Sequence, residues 1–164
     1  MRRQPSLRPA GLLLGIGLGG FLDGILFHQI LQLHNMLSNV YFPNTLVNAE
    51  INMFWDGLFH AFTWLTTVAG LFFLWKALNG QLQKASSTYF MGLLLSGWGL
   101  FNIVEGTVDH LLLGIHHVVQ RTSVTGQFYS DMLFLLSGIF LFLVGVWLSR
   151  RAQREPFARP SFWH

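Results

Sequence analysis

Two segments of the chain place one carboxylate and two histidines at the same spacing. Residues 15–36 read GIGLGGFLDGILFHQILQLHNM, and residues 97–118 read GWGLFNIVEGTVDHLLLGIHHV. At an offset of 82 residues, seven of 22 positions are identical. The shared groups are Asp23, His28 and His34 in the first copy and Glu105, His110 and His116 in the second. Imidazole nitrogen and carboxylate oxygen bind transition metals, so this repeat predicts a metal-binding pattern that is used twice.

Other ionisable residues extend this pattern on the same side of the protein. The predicted metal ligands are His28, His60, His110, Asp56, His34, His116, His117 and Asp131. On helices, His28, His60 and His110 fall at one level, about 7–10 Å outward of the membrane midplane. Three histidines with an open coordination position are typical of a catalytic metal site.

Two carboxylates, Asp23 and Glu105, fall near the predicted midplane. Ionisable groups at that depth are costly and usually functional. We expect them to act as catalytic proton carriers, or as hydrogen-bond partners of ligating imidazoles. Asp23 and His34 share a helix face but lie three turns apart, which is too far to hold one ion.

The elements that position these residues are four long apolar stretches, at roughly 10–37, 53–78, 89–118 and 128–149. Each exceeds the ~20 residues that a helix needs to cross a bilayer. The chain is 10% charged, whereas soluble proteins average about 25%. Open sheets would leave unpaired edges in lipid. The sequence predicts an all-α membrane protein with one domain, residues 1–164, and two tandem hairpins related by a pseudo-two-fold axis along the membrane normal.

Basic residues mark the ends of these stretches. They are Arg2, Arg3 and Arg8 before the first, Lys76 and Lys84 around the second loop, and Arg150, Arg151, Arg154 and Arg159 after the last. The positive-inside rule places both termini and the tail, residues 150–164, in the cytoplasm, with the histidines towards the outer surface. The expected partner is the lipid bilayer and not nucleic acid. A homo-oligomer or a larger membrane complex is left open. Cysteine is absent, which excludes disulfides and thiolate ligands.

The segments GFLDGILFHQILQLHNM, DGLFHAFTW and FNIVEGTVDHLLLGIHHV resemble the bacterial membrane proteins grouped as domain-of-unknown-function family 2243. The resemblance extends from Gly15 to Trp147. It implies a multi-pass protein of the bacterial inner membrane and supports the motif positions, but it supplies no reaction. The family pattern has two adjacent histidines after the first span, whereas here His34 is followed by Asn35.

The leading hypothesis is a metal-binding bundle for redox chemistry, hydrolysis or metal handling, so enzymatic activity is left open. Zinc, iron and copper are not distinguished, although the thioethers of Met36, Met53 and Met132 would favour copper(I). Alternatives are a b-type haem held by His28 and His110, a proton- or ion-conducting bundle, and a structural subunit of a membrane complex without its own chemistry.

Overall fold

The protein is an all-helical bundle. The computed structural model describes residues 7–79 and 86–154. Its α-helices are α1 (Leu7–Leu22), α2 (Leu46–Asn79), α3 (Ser87–Glu105) and α4 (Val124–Arg154). The described residues contain no strand. Within residues 7–79 and 86–154, four helical runs, counting the π-helical continuations of α1 and α3, are long and apolar enough to cross a membrane. The predicted all-α fold with four spans is therefore confirmed. Arg2, Arg3, Lys84, Arg159 and the tail beyond residue 154 lie outside the described residues.

Helices α1 and α3 form the central pair, with α2 packed on α1 and α4 packed on α3. Glycine allows the close approach of the central pair, since a Cβ at Gly15 would lie 2.8 Å from Cα of Gly97. Small residues at such interfaces are typical of membrane helices. In the most apolar 18-residue stretch of each outer helix, α2 and α4, only 11% is buried. Their exposed apolar side chains therefore face the lipid.

Both central helices continue into π-helix, and then the helix stops. We call these runs the first π segment (Asp23–Ile30) and the second π segment (Gly106–Leu112). A left-handed residue follows each segment, Gln32 with φ of 50° and Gly114 with φ of 56°. The chain therefore turns before it reaches the second histidine of each copy. Single π-helical turns within α-helices are frequent at functional sites.

The helical runs therefore end earlier than hydropathy predicts, at Ile30 instead of Leu37 and at Leu112 instead of Val118. Hydropathy reports the apolar character of a segment, whereas these ends depend on backbone geometry. Leu33 N–H donates to the carbonyl of Phe27, and Ile115 N–H donates to that of Asp109. These matched bonds bend the two copies in the same way.

Two non-helical loops close the end of the central pair. We call them the first rim loop (residues 31–45) and the second rim loop (residues 113–123). They bond to each other, since Gln120 N–H lies 3.0 Å from the Leu33 carbonyl and Asn39 N–H lies 2.9 Å from the Ile115 carbonyl. The matched contacts support two copies of one hairpin, while the pseudo-two-fold axis stays a prediction.

Candidate metal centre

Four histidine rings meet beneath the rim loops. They are His28 and His110 from the π segments, and His34 and His116 from the rim loops. Ring centroids lie 4.4 Å apart for His28 and His34, 4.5 Å for His34 and His116, and 4.7 Å for His110 and His116. None of the four residues is more than 3% exposed. Asp23 and Glu105 are buried beside them.

Burial keeps the rings of His34 and His116 neutral at neutral pH. Burial, with a smaller contribution from His28, lowers the pKa of His34 to about 4. Burial, followed by the neighbouring His34, lowers the pKa of His116 to about 3. A neutral imidazole carries its proton on only one nitrogen and keeps a lone pair on the other.

Hydrogen bonds to the backbone decide which nitrogen carries the proton. Nδ1 of His34 lies 2.9 Å from the Val118 carbonyl, and Nδ1 of His116 lies 3.0 Å from the Met36 carbonyl. A carbonyl only accepts, so Nδ1 must be the donor in both rings. Nε2 of each ring then holds a lone pair, and both Nε2 atoms are buried without a hydrogen-bond partner in the part of the chain that the structure describes.

In the first copy, His28 lies between two carboxylates. Its Nδ1 is 3.0 Å from Oδ1 of Asp56, and its Nε2 is 3.1 Å from Oδ2 of Asp23. The contact with Asp56 is a hydrogen bond, whereas the facing atoms of His28 and Asp23 have none. Asp56 is itself held by the N–H of Met36 and by the side-chain amide of Asn35. This aspartate therefore orients the ring, and Asp23 faces the ring's free nitrogen.

The second copy resembles this arrangement, but Nδ1 of His110 makes no hydrogen bond with the described residues. Nδ1 of His110 is 3.5 Å from Oδ1 of Asp131, which accepts the N–H of Val118. Nδ1 of His117 lies 2.6 Å from Oδ2 of the same aspartate. In the first copy, the side-chain amide of Asn35 bonds to Asp56 in the same way. The first copy therefore has an amide where the second has the imidazole of His117.

The nitrogens and carboxylates form three overlapping groups whose ligand atoms lie within 4.8 Å of one another. The groups are His28, His34 and His116; Glu105, His110 and His116; and Asp23, His28 and Glu105. Bonds of about 2.0–2.2 Å to one ion place its ligand atoms about 3–4 Å apart. The contact between Nε2 of His116 and Oε1 of Glu105, 3.8 Å, falls in this range. The donor set therefore fits a transition metal.

His60 does not join these groups. Nδ1 of its half-buried ring lies 2.7 Å from the carbonyl of Asp56, one turn earlier in α2. Its Nε2 lies beside Gly24, where a Cβ would be 2.8 Å away. The structure therefore does not bring together the expected trio of His28, His60 and His110. It brings His34 and His116 to the π-segment histidines instead, because the helices end and turn before the rim loops.

The carboxylates are also arranged differently from the sequence expectation. Asp56 and Asp131, which were predicted as metal ligands, lie on the Nδ1 side of His28 and His110. Asp23 and Glu105 were expected as proton carriers or ring partners, but Asp23 belongs to one of the donor groups and Glu105 to two. The supporting role of Asn35 was missed, although its alignment with His117 at the offset of 82 was a signal for it.

Comparison with known proteins places this arrangement in a family. No curated protein and no solved structure matches the chain. A family model described as "Predicted membrane protein (DUF2243)" matches residues 10–152. The matched range contains both π segments, both rim loops and the six residues of the donor groups. The chain therefore belongs to this family of membrane proteins.

Proposed function

We propose that this membrane protein binds a transition metal in the buried cluster beneath its rim loops. The ligands would be His28, His34, His110, His116, Asp23 and Glu105. The observation that carries the proposal is the pair of unpartnered Nε2 atoms on His34 and His116. A buried polar atom without a partner costs about 1–3 kcal/mol, and a metal ion bound to both lone pairs would offset that cost.

The chemistry of the donors limits the metal. Nitrogen and oxygen ligands without thiolate suit zinc, iron, manganese or copper(II). His28, His116 and Glu105 each belong to two of the three donor groups, which supports one ion or two adjacent ions. Helical bundles with inward-facing histidines and carboxylates hold paired iron or manganese in this manner. Asp56 would orient His28 through Nδ1, as is usual for carboxylates beside metal ligands. Asp131 lies 3.5 Å from Nδ1 of His110 and would hold that ring more loosely.

The haem alternative does not fit the packing. His34 lies 4.4 Å from His28 and 6.3 Å from His110 between ring centroids. His116 lies 6.0 Å and 4.7 Å from the same two rings. The rim-loop imidazoles therefore lie within 6.3 Å of both candidate axial ligands, which supports a metal ion over a haem.

A polar cavity lined by rim-loop residues reaches His28 at the edge of the cluster. It has a volume of about 330 Å³, and its lining includes His28, Gln32, Asn52 and Arg121. These polar side chains suit hydrated ions. With the orientation predicted by the positive-inside rule, the metal would be loaded or exchanged from the outer side.

Metal analysis of the purified full-length chain tests this proposal. We expect one or two equivalents of a transition metal in the native protein, and a large loss in His34→Ala and His116→Ala. His60→Ala is the matched control, because its ring bonds to the carbonyl of Asp56 and lies outside the donor groups. Circular dichroism would show that each variant keeps its helices. Substoichiometric metal at the same level in all four samples would instead favour a structural subunit.

A further inference from the structure

The two copies of the repeat differ in the residues that line the polar cavity at the rim. In the first copy these residues include three carboxamides, Gln29, Gln32 and Asn35. At the offset of 82 residues, the second copy has Leu111, Gly114 and His117 instead. The residues of the donor groups, by contrast, are histidine or carboxylate in both copies. The amide lining therefore belongs to the first copy alone and is separate from the duplicated donor pattern.

Gln32 keeps its side chain in a backbone conformation that favours glycine. Its φ is 50°, and the aligned Gly114 makes the same left-handed turn with φ of 56°. Glycine makes such a turn without the steric cost that a Cβ adds. Gln32 is exposed, and its side-chain amide makes no hydrogen bond with the described residues. The turn therefore does not require glutamine, and the amide is available to a molecule in the cavity.

Arg121 sets the charge that such a molecule meets. The ionisable residues in the lining are His28, Asp56 and Arg121. Asp56 is 2% exposed, and both of its oxygens accept hydrogen bonds from the protein. Arg121 is exposed, with Cζ 5.8 Å from the centroid of the Phe42 ring, and it forms no ion pair with the described residues. The cavity therefore favours an anion over a cation.

The size and polarity of the cavity narrow the class of anion. A volume of about 330 Å³ is at the small end of the range for ligand pockets. A guanidinium group pairs with a carboxylate through two parallel hydrogen bonds. One arginine among neutral amides balances a single negative charge, whereas a phosphate ester carries up to two. Carboxamides both donate and accept hydrogen bonds, so they also suit a hydroxyl group.

We infer that this cavity binds a small hydroxy acid from the water phase, with its carboxylate at Arg121 and its hydroxyl at the amides of Gln29 and Gln32. His28 lies in the cavity lining and also belongs to two of the donor groups. A bound acid would therefore lie beside the centre. This class of compound would be its substrate, and that step rests on the proposed metal function.

Fluorine NMR of the full chain in phosphatidylcholine nanodiscs tests the inference. The probe is trifluorolactate, and the neutral trifluorolactamide is the matched probe without a carboxylate. Arg121→Gln removes the positive charge, and Gln32→Gly gives the first copy the glycine of the second. Arg150→Gln, at an exposed position near the end of α4, is the matched control. Metal content and Tm are measured for every protein.

We expect the native protein to broaden the signal of trifluorolactate and not that of the amide. Arg121→Gln should weaken this binding by about tenfold or more, and Gln32→Gly by about threefold or more. Arg150→Gln should match the native protein. Gln32→Gly should also keep or raise the Tm, because glycine suits the left-handed turn. A purely structural role of Gln32 predicts the opposite, a lower Tm and unchanged binding.

Two further measurements examine the source of the anion and its place beside the metal. Unlabelled lactate should displace the probe at lower concentration than inorganic phosphate does. Reloading the protein with paramagnetic Mn²⁺ should broaden the bound probe more than reloading with Zn²⁺, because the paramagnetic effect acts only at short distance.

Equal broadening of both probes, stronger displacement by phosphate, or native binding by Arg121→Gln would overturn the inference. Equal broadening with Mn²⁺ and Zn²⁺ would overturn the placement of the acid beside the centre. Binding of trifluorolactate that depends on Arg121 in a protein without metal would support the cavity site and contradict the proposed metal function. A metal-loaded protein that does not bind trifluorolactate would overturn the cavity site and leave the metal function standing.

Discussion

His34 and His116 stack face to face, with ring centroids 4.5 Å apart and ring planes 4° from parallel. Each ring donates a hydrogen bond to a backbone carbonyl of the opposite rim loop, at Val118 and Met36. Each copy of the hairpin therefore fixes the histidine of the other copy. As a result, the pair of free Nε2 atoms depends on the association of both hairpins.

His116 and His117 are adjacent, and their substitutions should have opposite outcomes. His116 belongs to two of the donor groups, so His116→Ala should abolish stoichiometric metal binding. His117 donates to Asp131 as Asn35 donates to Asp56, so His117→Asn should reduce metal affinity less than about tenfold. Isothermal titration calorimetry with the metal measures the affinity of both variants. Equal losses would contradict the supporting role of His117.

Some carboxylates orient a histidine and others would bind the metal directly. Substitutions of the two kinds should differ in how much they lower the metal affinity. Asp56→Asn should lower metal affinity by about 10–100-fold, because it weakens a group that orients His28. Asp23→Asn removes a direct donor and should cost more. Glu50→Gln, on the exposed start of α2, is the control. Competition with a chelator of known affinity ranks the three proteins. If Asp56→Asn cost more than Asp23→Asn, the assigned roles would have to be exchanged.

The close approach of α1 and α3 predicts a strong effect at Gly15. An alanine Cβ there would clash with the backbone of Leu94 and Gly97, and such overpacking costs about 1–3 kcal/mol. Gly57→Ala has open space within 4 Å and should be neutral or stabilising by up to about 1 kcal/mol. The Tm values of Gly15→Ala and Gly57→Ala, measured in the same detergent, test this prediction. An unchanged Tm for Gly15→Ala would argue against the described helix contact.

Removal of the metal should destabilise the native protein. A ligand at 100 times its Kd stabilises the folded state by about 2.7 kcal/mol. Chelation should therefore lower the Tm of the native chain, and added metal should restore it. His34→Ala provides the control, since its Tm should not respond to either treatment. A response of the same size in this variant would place the stabilising metal elsewhere.

The orientation in the membrane can be tested because the chain contains no cysteine. Thr45 lies exposed in the first rim loop, and Arg154 lies exposed at the end of α4. The positive-inside rule predicts that a membrane-impermeant maleimide labels Thr45→Cys in intact cells, and Arg154→Cys only after permeabilisation. The reverse pattern would place the centre on the cytoplasmic side.

Local composition was enough to predict the helical class and the number of spans. A lack of charge over long apolar stretches leaves lipid as the solvent, and lipid requires every backbone group to be bonded within a helix. The repeat was also visible in the sequence, because Asp23, His28 and His34 align with Glu105, His110 and His116. The sequence alone therefore showed that these six residues form two equivalent sets of three.

Only the tertiary structure decided which donors meet. His60 was placed at the site by its level alone, which does not show where its ring points. Extrapolation of α1 along one axis placed His34 three turns beyond Asp23, because it assumed i→i−4 bonding throughout. The π segments and the left-handed Gln32 and Gly114 break that assumption, and they bring the rim-loop histidines onto those of the π segments. Such turns depend on backbone bonds between distant residues, which side-chain periodicity does not record.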